Sequence, residues 1–406
     1  MARKIMAVNA DAGVVDRIDA QSAQKPTQIR LRQRAIWLFV HRWMGVILGL
    51  PVAILGLTGS LILLVPMMLA MQHGDLLTLN AGPQEKFQAP SAWVSAVRAV
   101  NDEKLEIIAV SAPNKSPIAS DTALIVGHTH VGPQGHYHRV FSVDPYTSKL
   151  KGYYDFETSY AFITTAIHTS LMIPMIGLDI VAILGVIMVI SIVTGLYLWW
   201  PRPKALRAAF TFRTNSRGIA RWFNLHNVLG IYTALALLVL SVTGVWILRP
   251  EWIEPGVKLV SPIRSAPAET MIAKAGSCPL PTSAEQALSL AAQKLPGREI
   301  AYLLSPEDDR KFFEVNMSSS LDWNRRDGDT TVFVDPVCPR VVGVTDSRTL
   351  SAGEATKRAT VPFHNGLAFG LFGQIMVFLA GLSLPIFYLS GMILWWQRRK
   401  CRKSVI

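Results

Sequence analysis

Apolar residues gather into four long runs, Met44 to Leu69, Leu178 to Trp200, Val228 to Leu248 and Leu367 to Trp396. A hydrocarbon core of roughly 30 Å takes about 20 helical residues to cross, so each run predicts a membrane helix. The order expected is a polar leader over 1–34, helices over 35–70, 161–200, 226–250 and 361–397, and a tail over 398–406. Between the helices lie a segment over 71–160, a basic loop over 201–225 and a segment over 251–360. The two long polar segments are each large enough for a small domain. In the first, Ala92 to Ala99 reads as a short amphipathic helix, and Leu105 to Val110, Thr122 to Val126 and Arg139 to Val143 as strands. In the second, Ser283 to Gln293 reads as helix, and Lys311 to Asn316 and Thr331 to Val334 as strands. The leader is polar and low in aromatics, which predicts poor order.

The same pattern occurs twice. His41 stands 17 residues before Thr58-Gly59, and His226 stands 17 before Thr243-Gly244. His168 stands 27 residues before the run Gly195 to Trp200, and His364 stands 27 before Gly391 to Trp396. The polar segments echo one another through the steps Val143-Asp144-Pro145 and Val334-Asp335-Pro336, followed by Gly152 and Gly343. The chain therefore reads as two parallel repeats of helix, α+β domain, helix: a four-helix bundle with a pseudo-twofold axis along the membrane normal and two external α+β domains.

The net charge of +12 is a topology signal. Eight Lys or Arg lie in residues 1–42, six in Pro201 to Leu225 and five after Gln397. Basic residues beside membrane helices are retained on the cytoplasmic side, so both termini and the middle loop are expected inside and the α+β domains outside. Basic and aromatic residues are not interleaved on one element, which argues against nucleic acid as a partner. About 40 largely polar residues precede the first apolar run, which is long enough to span and reads as a signal anchor rather than a cleaved peptide. Trp199-Trp200 and Trp395-Trp396, beside basic residues, read as interfacial anchors. Cys278 and Cys338 both fall in the second external segment, where a disulfide is permitted provided the two meet.

Four histidines at repeat-matched positions are the candidate chemistry. A neutral imidazole is the least costly ionisable group to place in a membrane and a good axial ligand for haem iron. One from each half at the same level makes a bis-histidine site, so His41 with His226 and His168 with His364 predict two b-type haems, with no covalent attachment motif present. The plain alternative is four interfacial residues, each hydrogen-bonded to a neighbour. His168 raises a length problem, since 27 helical residues rise about 40 Å. Either that helix tilts, or Pro174 breaks it. Gly45, Gly49, Gly56, Gly59, Gly230 and Gly244 allow close approach of a macrocycle or, by preference, of another helix. Asp179 reads as a surface residue at the end of its helix, with haem tuning or proton transfer as the alternative.

A second histidine cluster stands in the first external segment. Alternation places His128 and His130 on one face of a strand and His136 and His138 on one face of its return partner, across a Gly-Pro-Gln-Gly turn. Such a hairpin is a candidate metal or substrate contact, and the second repeat has no counterpart.

The stretches His41-Arg42-Trp43-Met44-Gly45, Leu57-Thr58-Gly59-Ser60, His168-Thr169-Ser170-Leu171, Thr194 to Arg202 and Val143-Asp144-Pro145-Tyr146 resemble the PepSY-associated transmembrane proteins. Within them the likeness is to bacterial inner-membrane ferric-siderophore reductases. The resemblance implies a dihaem enzyme that passes electrons across the inner membrane to a ferric siderophore, with His41, His168, His226 and His364 as haem ligands. It leaves open the pairing, and whether another histidine or Met172 replaces one. No dinucleotide-binding glycine motif follows a strand, so a quinol or a separate flavoprotein is the expected donor. An iron-chelate transporter and a non-enzymatic envelope regulator are the competing readings.

Overall fold

A computed structural model describes residues 12–79, 86–100, 105–115, 120–130, 136–201, 203–263, 267, 269–274, 276–307, 310–319 and 328–403. The first half of the chain runs α1 (Ala12–Ile62), α2 (Val65–Leu77), α3 (Pro90–Val100), β1 (Glu106–Ser111), β2 (Ala123–His130), β3 (His136–Val143), β4 (Leu150–Asp155), α4 (Tyr160–Ser170) and α5 (Gly177–Trp199). After α6 (Leu206–Ala209) come α7 (Gly218–Leu248), α8 (Pro250–Lys258), α9 (Ala284–Lys294), β5 (Glu299–Leu304), β6 (Phe313–Ser318), β7 (Thr330–Val334), β8 (Val341–Thr345), α10 (Ala352–His364) and α11 (Gly370–Lys403). The leader, expected to be poorly ordered, is helical from Ala12, continuous with the apolar part of α1.

Four helical stretches are long and apolar enough to cross a membrane: Leu31–Ile62, Gly177–Trp199, Gly218–Leu248 and Leu367–Arg399. Only 22% of the most apolar window of each is buried, so the rest offers apolar side chains outward, as lipid requires. This is a multi-pass membrane protein with an α+β part outside the membrane.

The chain divides into two compact units. One comprises Met1–Ala53, Val186–Leu238 and Ser383–Ile406. Here Gly49 lies against Tyr388, where a Cβ would stand 2.8 Å from Cδ2. Arg34 donates to the Leu198 carbonyl at 2.8 Å, and Phe210 packs its ring on Trp199.

The other unit comprises Ile54–Gly185 and Val239–Leu382. Its eight strands form a single antiparallel sheet in the order β4-β3-β2-β1-β5-β6-β7-β8. Both expected α+β copies are present, α3 with β1 to β4 and α9 with β5 to β8, and they share this sheet through the pairing of β1 with β5. One core serves both: Trp93, Val94 and Val97 of α3 and Ala287, Leu288 and Ala291 of α9 pack with Phe141, Leu303, Val315 and Val332 from the strands. Strand alternation sends Leu124, Val140 and Tyr154 to the opposite face, where Val65, Leu69 and Leu77 of α2 and Ala161 of α4 cover them. The two Val-Asp-Pro steps are matching turns. Asp144 accepts from Tyr146 N and Thr147 N, and Asp335 from Val337 N and Cys338 N, closing β3 to β4 and β7 to β8. Cys278 and Cys338 meet in a disulfide.

The length problem at His168 is resolved by a break. The Ser159 hydroxyl caps α4, which ends at Leu171 in the left-handed region, and the turn through Met172, Pro174 and Met175 delivers the chain to α5. At the matching place α10 ends at His364, and Gly366 and Gly370, both at positive φ, turn the chain into α11. Strands β4, β5 and β8 were absent from the sequence reading, because short strands holding a glycine or lying directly after a helix give a weak alternation signal.

Leu303→Ala, in the shared core at the β1–β5 junction, should cost about 2–5 kcal/mol. Limited proteolysis against denaturant should then show both halves of the sheet becoming cleavable in one transition, and two separate transitions would contradict a common core.

Candidate functional site

Each of the four histidines in the helical bundle meets the same arrangement on a neighbouring helix: a Thr or Ser followed by Gly. In the first unit, His41 Nδ1 lies 3.1 Å from Thr194 Oγ1 and 3.1 Å from the Ser191 carbonyl, both on α5. His226 Nδ1 lies 2.8 Å from Ser390 Oγ on α11, and its ring packs edge-on against Phe387. In the second unit, His168 Nδ1 lies 2.9 Å from the Leu55 carbonyl and 3.4 Å from Thr58 Oγ1 on α1. His364 Nδ1 lies 2.9 Å from Thr243 Oγ1 on α7 and also bonds the Leu240 carbonyl.

These contacts decide the tautomer. Each hydroxyl has its proton engaged along its own helix: Thr194 donates to Ile190 O at 2.9 Å, Thr58 to Ile54 O at 2.8 Å, Thr243 to Val239 O at 2.6 Å and Ser390 to Phe387 O at 3.1 Å. A hydroxyl so engaged can only accept from the imidazole, and so can a carbonyl. This arrangement favours the proton on Nδ1 and leaves the lone pair on Nε2.

The glycine after each hydroxyl makes room for the ring. A Cβ on Gly59 would stand 2.7 Å from His168 Cε1, one on Gly244 3.0 Å from His364 Cε1, and one on Gly195 3.1 Å from His41 Cε1. Gly391, the fourth, has nothing within 4 Å. Gly59 and Gly244 thus face imidazoles, where helix packing had been the preferred expectation. Gly49 and Gly56 do serve packing, against Tyr388 and Gly381 respectively.

The rings also meet in pairs, His41 with His226 at 6.4 Å between ring centres and His168 with His364 at 6.2 Å. Metal–nitrogen bonds of roughly 2 Å, with each ring centre roughly 1 Å behind its nitrogen, put two trans imidazoles about 6 Å apart. The separations suit one ion held between each pair. Arg42 Nε, beside His41, and Trp246 Nε1, two residues beyond Gly244, are buried without a hydrogen-bond partner.

The remaining candidates lie apart from these pairs. Asp179 forms an ion pair with Arg249 at 2.6 Å. Met172 is 55% exposed in the turn after α4. His73 stacks on Tyr154 with centres 4.3 Å apart. His128 and His138 face one another across β2 and β3, and the register sets His130 opposite His136. The Gly-Pro-Gln-Gly turn between those strands lies outside the described residues.

The model of the PepSY-associated TM region matches residues 38–398. The chain belongs to the PepSY-associated TM family. No curated protein matches it. In this PepSY-associated protein the hydroxyl–glycine partners had escaped the sequence reading, although the signal was there. Thr58 and Thr243 mark the repeat spacing, Gly59 and Gly244 were read for close approach alone, and Thr194 and Ser390 stand immediately before the repeated Gly-to-Trp runs.

Gly59→Ala should displace the His168 ring and cost about 1–3 kcal/mol. Gly391→Ala should be neutral or gain up to about 1 kcal/mol from helix propensity. Thermal unfolding of the two variants in the same detergent checks the contrast.

Proposed function

We propose that this chain is a dihaem membrane reductase that converts ferric siderophores to the ferrous state. The observation supporting it most directly is that His41 lies beside His226 and His168 beside His364 with ring centres 6.4 and 6.2 Å apart, a spacing at which each pair could hold one iron. His41 with His226 would hold one b-type haem, and His168 with His364 the other. Bound haem supplies one-electron exchange at its iron.

The chain's own residues carry the rest. Thr194, Ser390, Thr58 and Thr243 fix the neutral tautomer and the aim of each ring, which preserves its basicity toward iron. Gly195, Gly59 and Gly244 let the rings sit close to the neighbouring helix. Arg42 Nε and Trp246 Nε1, buried and unpartnered, suit the acidic substituents of a porphyrin.

Basic segments beside the spans favour termini on the cytoplasmic side of a bacterial inner membrane. The Cys278–Cys338 bridge favours an oxidising compartment for the sheet. On that orientation electrons from a quinol or a separate flavoprotein reduce Fe(III) outside, and Fe(II) is released because hard oxygen ligands hold it less tightly.

Protein extracted in mild detergent from porphyrin-replete cells should show reducible b-type Soret and α bands, with about two haems per chain. His168→Ala and His226→Ala should each retain about one haem and lose most ferric-siderophore reduction, read with a colorimetric Fe(II) chelator in reductant-loaded vesicles. A colourless wild-type protein would sink the reading and favour iron-chelate transport.

A further inference from the structure

The histidine hairpin stands apart from the bundle chemistry. In the sheet register Glu106 of β1 pairs with His128 of β2, and His128 with His138 of β3, so three chemistry-bearing residues form one row across adjacent strands. Cross-strand partners share a face of the sheet. The two imidazoles meet with Nε2 3.1 Å from Nε2 and ring centres 4.7 Å apart.

Glu157, in the turn of helix just before α4, completes the row. Its Oε1 accepts from His138 Nδ1 at 2.6 Å, while the His138 backbone N–H donates to both carboxylate oxygens, at 3.0 and 3.2 Å. The carboxylate is thus anchored to the strand whose ring it orients. With its Nδ1 proton committed, His138 turns an Nε2 lone pair toward His128. A carboxylate behind an imidazole, with the far nitrogen aimed at a shared point, is how proteins orient metal-binding histidines.

Distance supports the same reading. Two nitrogens each roughly 2 Å from one cation lie about 2.9 Å apart at a right angle and about 3.4 Å apart at the tetrahedral angle. The observed 3.1 Å falls between. His128 also lines a cavity of about 390 Å³, together with Glu106, Ser305 and Glu307. Glu106 brings a carboxylate beside the His128 imidazole, and the cavity gives that ring access to water.

We propose that the β2–β3 hairpin binds a divalent first-row transition cation between His128 Nε2 and His138 Nε2, with Glu157 fixing the His138 ring. Imidazole nitrogens select Zn²⁺, Co²⁺, Ni²⁺ or Cu²⁺ over Mg²⁺ and Ca²⁺. In the backbone register His130 and His136 are paired two positions further along the same ladder. The site does not rest on the haem reading, since it shares no residue with the bundle histidines.

The test uses full-length protein without a polyhistidine tag, stripped with a chelator and titrated with Zn²⁺ by calorimetry, and with Co²⁺ by visible absorption. Wild type should bind Zn²⁺ and give the absorption of nitrogen-ligated Co²⁺, with Mg²⁺ failing to compete. Glu157→Gln should weaken Zn²⁺ binding about 10–100-fold. His128→Ala with His138→Ala should abolish this site, leaving haem content as in wild type. Absence of Zn²⁺ binding in wild type, or unchanged affinity in the double variant, would overturn the proposal. If the double variant folds poorly, Zn²⁺ protection of His128 and His138 from diethyl pyrocarbonate in wild type reads the same contact, and equal modification with and without Zn²⁺ rejects it.

Discussion

The hydrogen bond from an imidazole Nδ1 to a hydroxyl on the next helix is the constraint on which the bundle depends. A histidine packed against a membrane-spanning helix has to satisfy both ring nitrogens or bear the cost of leaving one bare. Here one nitrogen is satisfied by Thr194, Ser390, Thr58 or Thr243, whose own proton is already held by its helix. The ring is left with a fixed direction and a single remaining lone pair. Two such rings face each other in each unit. Glycine follows from the same constraint, because the hydroxyl and the ring share so little space that the next residue along has no place for a side chain at Gly59, Gly195 or Gly244.

Duplication multiplies this arrangement. The same short dipeptide serves four histidines on four helices, and the halves of the extramembrane sheet repeat one another down to the Asx turns at Asp144 and Asp335. The copies are not independent folding units. Pairing of β1 with β5 joins them into one sheet, and a core drawing on α3 and α9 together ties the stability of each to the other. Edge pairing of this kind also removes two exposed strand edges, which would otherwise invite association with other chains.

Departures from the repeat mark where the halves have diverged. The break before α5 is made with Leu171, Met172 and Met175 at positive φ, whereas the break before α11 uses Gly366 and Gly370. For L-residues that conformation costs roughly 1–2 kcal/mol each, so packing around the first break has to offset what glycine gives the second without strain. The histidine hairpin belongs to the first half alone, with Glu157 placed behind it by the same turn that starts α4.

Hydropathy and repeat spacing were sufficient to place four spans, two α+β copies and the four repeat-matched histidines, because membrane insertion and duplication act on residue type along the chain. They also showed the Val-Asp-Pro turns and the alternation of the histidine hairpin. Three kinds of feature were out of reach. Strands β4 and β8 carry a glycine that weakens their alternation and β5 follows closely on α9, and the fusion of the copies through β1 and β5 is a pairing between residues nearly 200 positions apart. Whether the chain tilts or breaks at Pro174 depends on left-handed turns that surrounding packing has to hold. Above all, the partner of each histidine nitrogen is decided by which helices are neighbours: Thr194 serves His41 and Thr58 serves His168, across 153 and 110 residues. Residue type and spacing determined which groups this protein carries, and only tertiary packing decided which of them touch, because a hydrogen bond forms where two helices meet in space, whatever their separation along the chain.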